Sequence, residues 1–425
     1  MERNPRNILV SAIACSPVLG SEDGVGWNWA LQLSKLGNKV TVLTRKRFKK
    51  DIEEYLSRQP NSNLNFAYID ILPRVDYTGS PSLISYLYIY VWQVLAFCKA
   101  KELLLLTRFD LIHHVTFAGI RLPSFLGFLG VPFIFGPVGG GEEVPAEILT
   151  TFPLKARFKE KLRKLSNRLV KYDPFMWLTL RGATVIGLVT KDCLSLIPHA
   201  YHSKVVISST IGVEACNDDY CPRSNLDPVV LYAGRFLHWK GMHIGLKAFA
   251  AASRKNPNIR LLMVGDGPAA AHWRATARAE NIDDIVTWIS WAKKVELDML
   301  YRSSDLFLFP SFHDSGGMVV MEAALQGLPT LCLDVGGPGM MVNEMIGAKV
   351  SLNGSTENEL VEALANSLLT LVADRQKLAN LGRSAKHWSE SQGWGDRVKN
   401  FYDASEAILD KSTTSLTANN QYEVN

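Results

Sequence analysis

Apolar residues in this chain come in short unbroken runs, each followed by a glycine-rich or polar stretch and then by a helical pattern. The run 7–15 holds Ile8, Leu9, Val10, Ala12, Ile13 and Ala14, which predicts a strand buried on both faces. Residues 20–26 read as a glycine-rich loop, 27–36 as a helix and 39–44 as the next strand, the rhythm of a βαβ unit. Further strands are expected at 65–69, 111–115, 131–135, 184–189 and 204–207. The rhythm restarts with a strand at 229–233, a helix at 242–254 and a strand at 259–264 that ends in Gly265-Asp266-Gly267-Pro268. A strand at 306–309 and a helix at 318–326 follow, the helix closed by Gly327 with Pro329 beyond it.

These elements predict an α/β protein of two Rossmann-like, doubly wound domains facing across a cleft. The expected division is an N-terminal Rossmann-like domain over 1–210, a linker over 211–227 and a C-terminal Rossmann-like domain over 228–390. A C-terminal helix over 391–411 returns to the first domain, and 412–425, polar and rich in Thr and Asn, is expected to be a disordered tail. The apolar run 83–98 is short for a bilayer span and contains Gln93, so it reads as a buried or membrane-facing helix.

A chain of 425 residues exceeds what one hydrophobic core holds, in keeping with two domains. Its six cysteines are scattered without a CxxC pair, which argues against a disulfide framework or zinc site and for reduced thiols in the cytoplasm. The N-terminal residues carry no signal-peptide pattern.

The net charge of +5 is unevenly spread. Between Lys155 and Lys171 eight basic residues face one acid, Glu160, for a local +7 that leaves the remainder at −2. In the same stretch Leu154, Phe158, Leu162, Leu165 and Leu169 step by four, four, three and four, one helical stripe flanked by cations. Two readings stand: an amphipathic helix packed on the sheet by its apolar face, or an interfacial helix on anionic lipid. No nucleic-acid partner is expected.

Chemistry concentrates in the loops after strands, where open α/β sheets bind ligands. In Gly234-Arg235-Phe236-Leu237-His238-Trp239-Lys240-Gly241 two cations five residues apart can converge on one diphosphate. In Pro310-Ser311-Phe312-His313-Asp314-Ser315-Gly316-Gly317 the glycines open a helix whose N-terminus favours an anion. Glu322, further along that helix, suits ribose hydroxyls, and Asp314 suits those of a sugar. The plain alternative for either carboxylate is helix capping or solvent exposure, and for the cation pair a solvated loop.

The spacing Arg235-x4-Lys240 followed by Asp314-x7-Glu322 inside DSGGMVVMEAALQGLP resembles the signature of family-4 retaining glycosyltransferases of the GT-B fold, the group 1 glycosyl transferases. Gly265-Asp266-Gly267-Pro268, Asp305 before LFLFPS, and Gly336-Gly337-Pro338 agree, so the likeness extends over almost the whole chain. The resemblance implies that Arg235 and Lys240 bind the donor diphosphate, Glu322 the ribose and Asp314 the transferred hexose. Gly20, Gly265 and Gly316, with the amides of Gly317, Met318 and Val319, would complete the donor site. His114 resembles the family histidine beside the donor sugar, against the plain reading of a structural strand-end histidine. Glu22, Gly139 and Gly140, the last two in the post-strand loop 136–142, would serve the acceptor.

The implied activity is metal-independent, cofactor-free transfer of a hexosyl group from UDP- or GDP-hexose, with retention. The implied acceptor is a glycan or lipid-linked molecule of cell-surface polysaccharide or glycolipid synthesis. The enzyme would lie in the cytoplasm, peripheral on the inner face of the plasma membrane through 154–171. The family's first acid is usually Glu; Asp314 withdraws that carboxylate by one methylene, which leaves open a degenerate chain that binds nucleotide sugars, or a partner enzyme, without catalysis. An epimerase or phosphorylase on sugar phosphates also stays open. A dinucleotide fingerprint fails, because Trp29 stands where Gly24-x-Gly26 needs its third glycine.

Overall fold

Two parallel sheets organise the chain in the computed structural model, which describes residues 4–70, 83–214, 220, 223, 226–352 and 356–422. The first sheet contains β1 (Asn7–Ala12), β2 (Lys39–Arg45), β3 (Leu64–Ile69), β4 (Leu111–Thr116), β5 (Phe133–Val138), β6 (Val185–Leu188) and β7 (Val205–Ile207), in the order β3-β2-β1-β4-β5-β6-β7. The second contains β8 (Val229–Ala233), β9 (Arg260–Val264), β10 (Val286–Ile289), β11 (Leu306–Phe309), β12 (Thr330–Leu333) and β13 (Gly347–Val350), in the order β10-β9-β8-β11-β12-β13. In each sheet the winding direction reverses once, between β1 and β4 and between β8 and β11. Those are the points at which doubly wound sheets take ligands.

The helices, in chain order, are α1 (Ser21–Lys35), α2 (Lys49–Arg58), α3 (Leu83–Leu106), α4 (Ala146–Leu149), α5 (Leu154–Leu169), α6 (Pro174–Gly182) and α7 (Met242–Ser253). They continue with α8 (Ala270–Ala279), α9 (Lys294–Ser303), α10 (Met318–Leu325), α11 (Gly336–Met341), α12 (Glu357–Ala373), α13 (Arg375–Glu390) and α14 (Trp394–Tyr422).

Two compact units result. One comprises Met1–Gly141, Ser166–Ile211 and Trp394–Asn425; the other comprises Glu142–Leu165 and Gly212–Gly393. The second unit therefore includes a stretch that sequence reading assigned to the first. Its apolar residues explain the placement: Val144, Ile148, Leu149, Phe152 and Ala156 are buried in the same core as β8, β9 and β11. Much of the expected linker, including Cys216 and Cys221, lies outside the described residues. Of the described cysteines, Cys15, Cys98 and Cys332 are free thiols, and Cys193 Sγ lies 3.6 Å from Thr190 Oγ1.

Three local expectations are corrected. The glycine-rich stretch after β1 is not a loop throughout, because α1 already starts at Ser21 and contains Gly24 and Gly26. A Cβ on Gly26 would stand 1.9 Å from the Ala14 carbonyl oxygen, so this glycine lets α1 press against the end of β1. The loop expected over 136–142 starts only after Val138, where β5 ends, and Gly139 there donates its N–H to Ala118 O (2.9 Å) and accepts Ile120 N at its carbonyl (3.0 Å). The tail expected to be disordered continues α14 to Tyr422; no Gly or Pro follows Gly395 to break the helix.

Helix α3 settles the run at 83–98. Tyr88, Ile89, Trp92 and Ala96 enter the first unit's core, while Leu87, Val91 and Val94 are exposed on the opposite side. Among the described residues no helix is long and apolar enough to cross a membrane.

Candidate active site

The end of β8 turns sharply. Gly234 (φ 147°) leads to Arg235, which is exposed and forms no ion pair among the described residues. A single turn, His238–Lys240, then ends in the left-handed Gly241 (φ 72°) that opens α7. The neighbouring strand end packs tightly here: a Cβ on Gly265 would lie 2.0 Å from the Gly234 oxygen. Gly265 and Gly267 thus keep the β8 and β9 loops in backbone contact.

Beyond β11 the chain reaches Asp314 and then Gly317 (φ 67°), the N-cap of α10. One carboxylate oxygen of Asp314 accepts the Gly317 N–H (2.9 Å), and the other pairs with the Lys240 ammonium. Burial pushes the Asp314 carboxyl up, but Lys240 and the Gly317 amide outweigh it and hold the group below the usual carboxylate range. Lys240 also lies over the Phe309 ring, 4.8 Å from its centroid.

The two sequence motifs therefore meet side chain to side chain. The Gly317 amide is already occupied by Asp314, whereas Met318 and Val319 present first-turn N–H groups that a helix cannot satisfy internally. Gly316 stands between Asp314 and that turn. Glu322, half-buried in α10, accepts Lys294 Nζ at 3.3 Å, and Lys294 also reaches Asp298 at 2.8 Å. Lys294 left no trace in the sequence reading, because its partner lies on another helix. Gly327 (φ 66°) ends α10 as expected, its N–H donating to Ala324 O and the Leu328 N–H to Ala323 O.

In the first unit both histidines of β4 are fully buried. His113 is fixed by Tyr402 Oη (2.8 Å) and the Gly136 carbonyl (2.6 Å), a structural role. His114 Nε2 meets the Phe117 carbonyl (3.3 Å) and its ring lies against Phe135, while among the described residues its buried Nδ1 has no hydrogen-bond partner. Burial lowers their pKa to about 3 and about 4 respectively, so both imidazoles are neutral near pH 7. Gly20 is the N-cap of α1 and Glu22 stands in its first turn, where it accepts the Ala118 N–H. Burial raises the Glu22 carboxyl to about 7. Gly140 (φ 106°) sits against the Arg121 guanidinium, 3.6 Å from where its Cβ would be.

A pH response follows. In the unfolded chain His113 and His114 take up protons near 6.5, in the fold only near 3 to 4. Over that interval the unfolded state binds more protons, so stability falls as pH falls. Glu22, raised to about 7 in the fold, acts the other way over the same range and offsets about one of the two histidines. The unfolding midpoint of the first unit should therefore fall on net from about pH 6.5 down to 4.5 and fall more steeply in Glu22→Gln; a flat profile in that variant contradicts the burial of neutral imidazoles.

Sequence reading also missed the residues behind the Asp314 loop. His313 and Ser315, on either side of Asp314, are held by Glu160 and Glu142 from the 142–165 segment. Glu160 as the lone acid of a cationic helix was the available signal. Among the described residues no group of three His, Cys, Asp or Glu is placed to hold a metal.

Residues 222–388, which contain every element of this loop pair, match the family described as Glycosyl transferases group 1. This chain carries a group 1 glycosyl transferase domain. Over 237 residues it is 29% identical to the D-inositol 3-phosphate glycosyltransferase of Corynebacterium glutamicum (strain R), across 50% of this chain and 54% of that protein. The chain spans about half or less of the length of the first curated relatives it matches.

Solved glycosyltransferase structures resemble the whole chain. Sucrose-phosphate synthase from Thermosynechococcus elongatus superposes with a TM-score of 0.61 at 15% identity, covering 96% of this chain and 100% of the other. The Anabaena protein HepE, solved with UDP and glucose, gives 0.55 at 15% identity with the same coverage. At such identity the likeness shows the fold, and it makes the group 1 chain a GT-B protein of two Rossmann-like α/β units.

Proposed function

We propose that this group 1 chain is a retaining hexosyltransferase that takes a hexosyl group from UDP- or GDP-hexose. The pairing of Lys240 with Asp314 at the opening of α10 carries the reading. A nucleotide diphosphate sugar has a doubly charged bridge and a neutral hydroxylated ring. Lys240, Arg235 and the Met318 and Val319 amides match the bridge, and Asp314 and Glu322 match hydroxyls. An arriving diphosphate draws Lys240 away from Asp314, which frees one carboxylate oxygen for the hexose.

As the glycosidic bond to the diphosphate breaks, negative charge grows on the leaving oxygen. Fixed cations and helix amides stabilise it there without reorganising, so the leaving group needs no metal. Front-side attack by the acceptor hydroxyl forms the new bond at the anomeric carbon with retention and passes the hydroxyl proton to the departing phosphate oxygen. The part beside the sugar that the resemblance gives His114 would need its neutral, fully buried imidazole to become accessible. Glu22, Gly139 and Gly140 belong to acceptor recognition in this reading, which assigns the product to cell-surface polysaccharide or glycolipid synthesis. HepE in its complex with UDP and glucose supports the uridine donor.

Nucleotide release from UDP-, GDP- and ADP-hexoses tests the activity. One donor should turn over in the presence of chelator, and Arg235→Ala should slow it roughly tenfold to a hundredfold, less than loss of an enclosed group because Arg235 is exposed. Binding without release points instead to a degenerate partner protein, a reading that the fully engaged carboxylate of Asp314 favours.

The location proposed is the cytoplasmic face of an anionic membrane, through 154–171. Exposure of the apolar stripe supports the lipid reading of this helix over packing on the sheet. Leu154, Phe158, Leu162, Leu165 and Leu169 are 78%, 69%, 56%, 50% and 53% exposed, so the apolar stripe of α5 does not pack on the sheet. Lys155, Lys159, Lys161, Arg168 and Lys171 are exposed with it. A lipid-linked acceptor fits this position. The chain should float with phosphatidylglycerol vesicles and not with phosphatidylcholine vesicles; flotation independent of lipid charge rejects the electrostatic part.

A further inference from the structure

Helix α5 is built inside out. Ala156, Glu160 and Arg163, spaced four and three apart, form its inward row, although two of the three are charged. Glu160 is 7% exposed and the Arg163 side chain 18%. A surface helix ordinarily turns its leucines in and its charges out. Leaving five large apolar side chains in water forgoes the stabilisation of burying them, so strong polar contacts must hold the charged row inward.

Those contacts lead to the donor loop. Glu160 Oε1 meets His313 Nε2 at 3.3 Å, and Arg163 Nε donates to Glu160 Oε2 at 3.1 Å. Arg163 Nη2 also donates to the Glu142 carbonyl, and the buried Glu142 carboxylate accepts Ser315 Oγ at 2.9 Å. Asp314 lies between His313 and Ser315. The His313 ring in turn stacks on Trp239, centroids 5.0 Å apart and planes 18° from parallel, and Trp239 adjoins Lys240. The residues on either side of Asp314 are thus fastened to the inner row of α5 or to its Glu142 anchor.

We propose that Glu160, Arg163 and Glu142 are positioning residues of the donor site, through which contact of the outer stripe of α5 with anionic lipid orders the loop that carries Asp314. The proposal rests on the donor-site and lipid readings above. One helix serves both surfaces. Fixing its apolar side in a lipid interface restricts the same backbone from which Glu160 and Arg163 reach His313, Glu142 and hence Ser315. Donor affinity then depends on the membrane, so that free enzyme away from it leaves the nucleotide sugar largely unused.

The test measures donor KM and kcat of the full chain, alone and with phosphatidylglycerol or phosphatidylcholine vesicles. Phosphatidylglycerol should lower the wild-type donor KM roughly 5- to 20-fold, within the range of coupling between distinct sites. The double variant Phe158→Asp/Leu162→Asp should lose flotation and this response together. Glu160→Gln should still float, show a raised donor KM with kcat little changed, and respond to neither lipid. A purely structural role for Glu160 would lower the unfolding midpoint and leave the KM of the folded fraction and its lipid response at wild-type values, which overturns the proposal. An equal wild-type response to both lipids, or to neither, overturns it as well. Failure of the donor reading is distinct: the wild-type chain then neither releases nor binds any of the three nucleotides, and both proposals fall.

Discussion

Replacing Lys240 by alanine should lower nucleotide release by about 10²–10³-fold, the loss typical when a donor aimed at developing oxyanion charge is removed. The expectation is larger than for Arg235 because Lys240 is enclosed, its side chain 15% exposed, over Phe309 and against Asp314. The variant should also be less stable. Asp314, 18% exposed, keeps the Gly317 amide but loses its counter-ion, which costs about 1–3 kcal/mol.

Acid sensitivity distinguishes this from a packing defect. A carboxyl held below its ordinary range contributes stability above the unfolded pKa and loses it as pH falls through the folded one. Without Lys240 that contribution largely goes, so the wild-type advantage in unfolding midpoint should be present at pH 7 and vanish towards strong acid. Lys240→Ala/Asp314→Ala should recover much of the stability at pH 7 and none of the turnover. Turnover recovered in the double variant would show that the pair is structural and would remove the central support for the donor site.

The strands of the first unit and β8, β9 and β11 of the second were legible because parallel strands buried on both faces are short apolar runs, and β8 and β11 begin and end where those runs do; β10, β12 and β13 were not singled out. The motif loops were legible for a related reason, since glycine and charge directly after an apolar run have few structural uses. What escaped was set by contacts remote in sequence. Gly26 looks like loop glycine until the Ala14 carbonyl beside it is known. The spacing of α5 gave its apolar stripe but not which side faces in, because that depends on His313 and Glu142, respectively 153 and 21 residues from their α5 partners. Periodicity records that a helix has two faces. Only the tertiary contacts decide which one is buried.

Gly241→Ala should be among the most damaging single substitutions in the second unit that remove no functional group, alongside Gly265→Ala. Gly241 adopts φ 72°, and a Cβ there would stand 2.0 Å from the Pro310 carbonyl oxygen, at the exit of β11. Left-handed backbone for alanine and overlap with a rigid carbonyl together cost roughly 2–5 kcal/mol. That corresponds to a fall of about 5–15 °C in the unfolding midpoint of a unit of this size. The direction of relief matters more than the cost. Pro310 begins the loop leading to Asp314, and Phe312 N donates to Trp239 O at 2.9 Å, so moving Pro310 away from Gly241 pulls on the hydrogen bond that joins the two motif loops. Lys240 and Asp314 then separate, and donor KM should rise together with the loss of stability. Gly37→Ala supplies the comparison: Gly37 has φ 88° but open space where its Cβ would be, so it meets only the backbone strain, about 1–2 kcal/mol, and leaves donor binding unchanged. Equal destabilisation by the two substitutions would mean that the Pro310 approach is not tight.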